Sequence, residues 1–328
     1  MRLNTLETFI AGTPPPGHGG RYFIFVRLTT ACGITGIGEI YSASFAPEVV
    51  CRMAEDMFAR YLEGRAPDRI EHFWRQAHGS GFNHRPDTSV QGVVSGLEMA
   101  CWDIVGKALD RPVYALLGGL VNERLRTYTY LYPPEGAEPA EFYNDPHASA
   151  EVAGARVAEG FSAVKFDPAG QYTVYDGRMP DLEAIAQSVA FCREIRAAVG
   201  DRADMLFGTH GQFTAAGALR LARQLEPFDP LWFEEPCPPD MPEEMAKVAA
   251  GTSIPVATGE RLCSKFEFAR VLDLGAAAIL QPDLGRAGGI LEGKKIAAMA
   301  ETRYVQVAPH LYCGPVAAAA NIQLAACI

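Results

Sequence analysis

Six residues define what chemistry this 328-residue chain could do: Lys165, His210, Glu234, Glu260, Asp283 and His310. Each follows a short apolar or β-branched run, and the last five stand 24, 26, 23 and 27 residues apart. That interval is about one strand plus one helix, so side chains at successive strand ends would share one rim, where barrel active sites are assembled. A single Glu or His at a strand end is usually a solvated loop residue. Five in register are hard to dismiss. Two carboxylates with a lysine nearby suit Mg2+, which takes oxygen ligands and retains water and substrate oxygens. In Trp232-Phe233-Glu234-Glu235-Pro236, strand alternation sends the two acids to opposite faces, so only one should face the site. Asp283 follows Gln281-Pro282 and His310 follows Ala308-Pro309 one unit later, so adjacent strands could hold a carboxylate against the imidazole. Such a partner fixes the tautomer and raises basicity, as a general base requires.

The elements that must position these residues can be read from periodicity. After Val121, seven apolar runs are each followed by a helical stretch: 126–131, 162–166, 204–207, 231–233, 255–257, 277–280 and 305–308. Alternating β and α with continuously apolar strands predicts a parallel sheet, and this many units predicts a closed (β/α) barrel of the TIM type. No glycine-rich fingerprint follows the first strand, so a dinucleotide-binding fold has no support. Residues 121–328 number 208, against about 250 for a complete eight-unit barrel. The last strand is therefore expected to be missing from this chain. Residues 1–120 form a separate α+β domain in this reading. Tyr22 to Leu28 alternate as a strand, Gly33, Gly36 and Gly38 suggest a turn, and the apolar spacing from Gln91 to Leu109 predicts a helix.

The composition is that of an ordinary α/β globular protein, 48% hydrophobic and 21% charged, with a formal charge of −10. That balance gives no footprint for nucleic acid or an anionic membrane, so an anionic substrate needs locally placed cations or a metal. Eight scattered cysteines without a C-x-x-C pair read as free thiols. Residues 1–12 lack a leader pattern and no run of about 18 apolar residues occurs, so the cytoplasm is the expected compartment.

Several longer motifs occur in order: LEMACWDIVGKALDRPVYALLGG at 97–119, FEEP at 233–236, ATGER at 257–261, LQPDLGRAGG at 280–289 and APHLYCGP at 308–315. Together they resemble the mandelate racemase subgroup of the enolase superfamily, and within it the galactonate dehydratase type of acid-sugar dehydratase. The resemblance implies a capping domain over residues 1–120 and a catalytic barrel over 121–328. It makes Glu234 and Glu260 ligands of Mg2+ and pairs Asp283 with His310 as the base. Lys165 matches the second-strand lysine that helps neutralise the substrate carboxylate, and Lys165, Glu260 and His310 are expected to touch the substrate. His210 matches the third-strand histidine used as general acid, which a poor leaving group such as hydroxyl needs. The implied partner is a small acid sugar, and a homo-oligomer is expected.

Two departures from the family pattern stand out. Its second strand usually ends Lys-x-Lys, whereas this chain has Lys165-Phe166-Asp167, which disfavours a two-base racemase. Its third strand normally ends in a metal-binding aspartate, and here that place falls on Gly208. Asp167, His210 or water are the candidate replacements, and Asp167 is equally readable as a loop acid before Pro168. Substrate choice is expected from the Gly/Pro-rich run 12–22, the segment 41–45 and the loop 132–146, where His18, Arg21 and Tyr41 could touch a polyol. The expected reaction is Mg2+-dependent dehydration of an aldonate or aldarate through an enediolate to a 2-keto-3-deoxy acid. The alternatives are epimerisation or cycloisomerisation from the same intermediate, or a catalytically silent barrel that binds an acid sugar.

Overall fold

The computed structural model describes residues 1–14, 17, 19–82, 84–167 and 177–328. The chain begins with an antiparallel sheet of β1 (Leu3–Gly12), β2 (Tyr22–Thr30) and β3 (Thr35–Ile40), in that order. Alternate residues of β2, from Ile24 through Val26 and Leu28 to Thr30, are buried. Helices α1 (Pro47–Tyr61), α2 (Ile70–His78), α3 (Thr88–Leu109) and α4 (Val113–Leu116) follow. The predicted helix over 91–109 is α3, started three residues earlier by Asp87, whose carboxylate accepts from Ser89 N and Val90 N. Gly36 and Gly38 lie inside β3, where a Cβ would fall on the α3 backbone at Ala100 and Gly96. Their small size lets helix and strand touch, and Gly33 alone of the three marks the turn, at φ +88°.

The second part repeats strand and helix: β4 (Thr129–Tyr130), α5 (Pro139–Phe142), α6 (Pro146–Ala158), β5 (Ala163–Phe166), α7 (Leu182–Val199), β6 (Asp204–Gly208) and α8 (Ala215–Leu225). Then come β7 (Trp232–Glu234), α9 (Pro242–Gly251), β8 (Val256–Thr258), α10 (Ser264–Asp273), β9 (Ile279–Leu280), α11 (Ile290–Glu301), β10 (Gln306–Val307) and α12 (Pro315–Ala325). The seven strands follow chain order in one sheet, parallel at every registered pair from β4 to β8. This is the expected (β/α) TIM-type barrel, incomplete at seven strands among the described residues, preceded by an α+β domain. No helix among these residues is long and apolar enough to cross a membrane.

Contacts divide the chain into two compact units, one of 1–125, 259–269 and 280–328, the other of 126–258 and 270–279. Inside the second, Phe166, Phe207 and Phe233 stack edge to face on three neighbouring strands, with centroids 5.9 and 5.4 Å apart. Such contacts between neighbouring strands set the depth at which the strand ends emerge. Inside the first, two buried carboxylates take the N–H groups of helix starts. Glu98 of α3 accepts from Ile290 N and Leu291 N at 2.8 and 2.9 Å and from Trp102 Nε1 at 2.8 Å. Glu39 of β3 accepts from Gly314 N and, at 2.9 Å, from Ala317 N. Both sit where a helix exposes unsatisfied donors and a favourable dipole. Burial nevertheless pushes the Glu98 carboxyl up to about 7.

The glycine before α11 follows from the same packing. Gly289 has φ 96° and ψ −169°, a region essentially closed to other residues, and a Cβ there would fall on the Glu98 carboxylate. Gly275, at φ +62°, has open space around it. Gly289→Ala should therefore cost about 3 kcal/mol or more, from backbone strain plus overpacking, and Gly275→Ala about 1 kcal/mol. Urea midpoints of the two variants check this, and equal losses would contradict the close approach of Glu98.

Candidate active site

In the first unit, the end of β9 leads through Gln281-Pro282 to Asp283, and the end of β10 leads through Ala308-Pro309 to His310. Asp283 is 1% exposed, and its Oδ2 lies 2.7 Å from His310 Nδ1. Its Oδ1 accepts from Gly285 N at 2.8 Å, and the Cys313 thiol lies 3.7 Å from both oxygens. The carboxylate selects the Nδ1–H tautomer of His310, so Nε2 is the nitrogen left to take a proton. Glu260 Oε2 lies 3.4 Å from that Nε2. Arg286 donates to the Glu260 carbonyl at 3.2 Å and stacks on the Tyr41 ring at 4.0 Å. Burial pushes the Tyr41 hydroxyl far above its ordinary value; Arg286 opposes that shift, and Asp283, Cys313 and Glu260 add to it. Tyr41 is half-buried and tied by its N–H to Gly285 O.

In the second unit, Lys165 of β5 and Glu234 of β7 form an ion pair whose side chains are 6% and 2% exposed. Between their strands lies β6, with Gly208 in register with Glu234. Glu235 is also fully buried, so both acids of the FEEP motif leave solvent. Thr209 Oγ1 donates to the carbonyls of Glu234 and Glu235, and Gly211 N donates to Glu235 O at 2.6 Å. His210 and Glu235 both take left-handed backbone conformations there, φ 49° and 42°. Such strain concentrates where side chains are aimed at a function. Asp167, one residue beyond β5, places Oδ2 3.0 Å from His210 Nδ1. A Cβ at position 208 would fall on Asp167 Oδ1.

For Mg2+ the donor chemistry fits: Glu234 and Glu260, both buried, are hard oxygen donors of the kind that ion takes. Asp167 occupies the space of the absent side chain at Gly208. No group of three or more His, Cys, Asp or Glu side chains suited to a metal forms among the described residues.

Two family models account for most of the chain. Residues 18–118 match the mandelate racemase / muconate lactonizing enzyme N-terminal domain, and residues 148–328 match the enolase C-terminal domain-like model. The chain belongs to the mandelate racemase/muconate lactonizing enzyme family of the enolase superfamily. A family member named D-galactonate dehydratase from Ralstonia nicotianae is 39% identical over 326 residues, 99% of this chain and 78% of the relative. One of the same name from Xanthomonas axonopodis pv. citri is 39% identical over 324 residues, with the same coverage. The crystal structure of a mandelate racemase/muconate lactonizing enzyme-like protein from Roseovarius sp. TM1035 superposes with a TM-score of 0.98 at 58% identity. It covers 100% of this chain and 83% of that one. A mandelate racemase/muconate lactonizing enzyme from Sulfitobacter sp. gives 0.98 at 59%, with the same coverage.

Against this family's pattern, the structure brings Asp283, His310 and Glu260 together in one unit and pairs Lys165 with Glu234 and Asp167 with His210 in the other. Sequence reasoning missed Arg286, Cys313 and Tyr130, the last a buried phenol beside Asp167. Arg286 lies within the LGRAGG run, whereas nothing in the sequence marks Tyr130. His18, a candidate for substrate contact, lies outside the described residues.

The buried Lys165–Glu234 pair makes a testable demand. Removing one partner strands a charge in a dry site and should cost about 3–5 kcal/mol, as in Lys165→Met, while adding Glu234→Gln should recover more than half of that. Denaturant unfolding in chelator measures both. Additive losses would mean that the two charges do not depend on each other.

Proposed function

We propose that the chain is a hydro-lyase that removes the proton next to the carboxylate of an aldonate or aldarate, expels the β-hydroxyl and yields a 2-keto-3-deoxy acid. The observation that carries this reading is Asp283 Oδ2 at 2.7 Å from His310 Nδ1 in a chain whose relatives include D-galactonate dehydratases. His310 Nε2 takes the α-proton, and Asp283 stabilises the imidazolium that results. His210, 29% exposed at its side chain, protonates the departing hydroxyl. The enol so formed ketonises to the product. Lys165 offsets the charge of the substrate carboxylate.

Glu234 and Glu260 are the residues that would hold Mg2+. Bound there, the cation supplies several kcal/mol of Lewis-acid stabilisation to the enediolate dianion. Arg286 and Tyr41 lie beside Glu260 and Asp283, where a polyol needs donors and acceptors. Support for dehydration over epimerisation comes from Lys165-Phe166-Asp167, which lacks the second lysine a two-base mechanism uses, and from His210 as an acid.

Sugar acids presented with and without Mg2+ test the proposal by the carbonyl absorbance of the semicarbazone of a 2-keto product. D-Galactonate is the first substrate to try. The expected result is product that disappears on chelation and in Glu260→Gln, with the variant still folded by circular dichroism. Full turnover in Glu260→Gln or after exhaustive chelation would overturn the metal assignment. An epimer or lactone formed without a keto product would replace dehydration with the sibling reaction.

A further inference from the structure

Asp167 is the residue for which the sequence left two readings, metal ligand or loop acid, and the geometry points to a third. We propose that Asp167 and His210 form a second carboxylate–imidazole dyad, in which Asp167 is a positioning residue that holds His210 as its Nδ1–H tautomer and leaves Nε2 to meet the substrate. The role of His210 toward substrate rests on the proposed function; the dyad itself does not.

Four observations within the second unit carry the inference. The Asp167 side chain is only 4% exposed, and its Oδ2 is 3.0 Å from His210 Nδ1. Tyr130 on β4 lies beside Asp167, and burial first, with the Asp167 charge next, pushes its phenol well above the ordinary value, so it stays protonated. The His210 backbone is held in its left-handed conformation by Thr209 and Gly211, which are anchored to the carbonyls of Glu234 and Glu235. The backbone of His210 is thereby fixed, and its ring meets the Asp167 carboxylate at Nδ1 while part of the side chain stays open to solvent. Finally, the Asp167 carboxylate fills the space that any side chain at 208 would need.

Gly208 acquires a physical explanation on this account. The family's aspartate at that strand end and a carboxylate at Asp167 turned toward His210 compete for one volume. In this chain an acid follows β5 and β6 ends in a glycine. The arrangement parallels Asp283 and His310, where a buried carboxylate faces Nδ1 at 2.7 Å. A general acid benefits in the same way as a general base: the carboxylate fixes which nitrogen carries the mobile proton.

The test is side-chain 15N NMR of the whole chain in Mg2+, with the His210 signals assigned by their loss in His210→Asn. The expected result is a wild-type His210 whose neutral form, observed at alkaline pH, carries its proton on Nδ1, so that the proton gained in the acid form sits on Nε2 where it can be donated. The neutral form should shift toward Nε2–H in Asp167→Asn and in Gly208→Ala. The His310 signals should stay in place throughout. A neutral wild-type His210 in the Nε2–H form would overturn the dyad. So would an Asp167→Asn variant whose His210 is unchanged. A calorimetric titration with Mg2+ alone separates the ligand reading. A positioning role predicts a Kd in Asp167→Asn within about twofold of wild type, whereas loss of a ligand weakens it by about tenfold or more and rejects the proposal. Because tautomer and Mg2+ affinity are read without turnover, a protein that dehydrates no sugar acid would refute the proposed function and leave the dyad to stand or fall alone.

Discussion

Two buried carboxylates fix the segment that carries Asp283 and His310. Glu39 and Glu98, each 1% exposed, project from β3 and α3 and take the backbone N–H groups at the starts of α12 and α11. A carboxylate in so dry a place is tolerable only while those donors face it, so each helix start is held to within hydrogen-bonding precision. Asp283 lies a few residues before the first anchored turn and Cys313 immediately before the second. The backbone between them closes on itself where Ala308 N meets Leu280 O and His310 N meets Pro282 O. The 2.7 Å approach of Asp283 to His310 is thus the end point of a chain of backbone constraints. Two long polar side chains finding each other in solvent would not hold such a geometry.

The second unit uses different means to the same end. Its strands are short and mostly buried, and the phenylalanines of three neighbouring strands set their depth. At the rim, a lysine and a glutamate neutralise each other away from water, and Thr209 joins the end of β6 to that of β7 with one hydroxyl. Left-handed residues at His210 and Glu235 then redirect the chain just where the polar side chains begin. Packing supplies the rigidity, and local strain supplies the direction.

Much of this was legible in the sequence, for identifiable reasons. Seven apolar runs at one-unit spacing give seven parallel strands because a buried parallel strand needs apolar residues on both faces. The Asp283–His310 pairing was legible because both residues follow an X-Pro step at the end of adjacent strands. Glu39 and Glu98 were not, since a carboxylate satisfied by distant backbone N–H groups leaves no mark of spacing or composition. Gly36 and Gly38 read as a turn because a glycine needed for close packing and one needed for a turn look alike in one sequence. Helices α1 and α2 were passed over, and Tyr130 and Arg286 entered the picture only through their contacts. Asp167 was singled out for a metal because its nearness to His210 depends on the empty volume at Gly208, which sequence does not show.

The central claim is that His310 removes the α-proton and that water then leaves with help from His210. Proton NMR of a sugar-acid substrate in D2O, with Mg2+, follows both events at once. The account predicts a 2-keto-3-deoxy product carrying one deuterium at C3 from the wild type, α-hydrogen exchange without product from His210→Asn, and neither from His310→Asn. Undiminished α-hydrogen exchange in His310→Asn would contradict it.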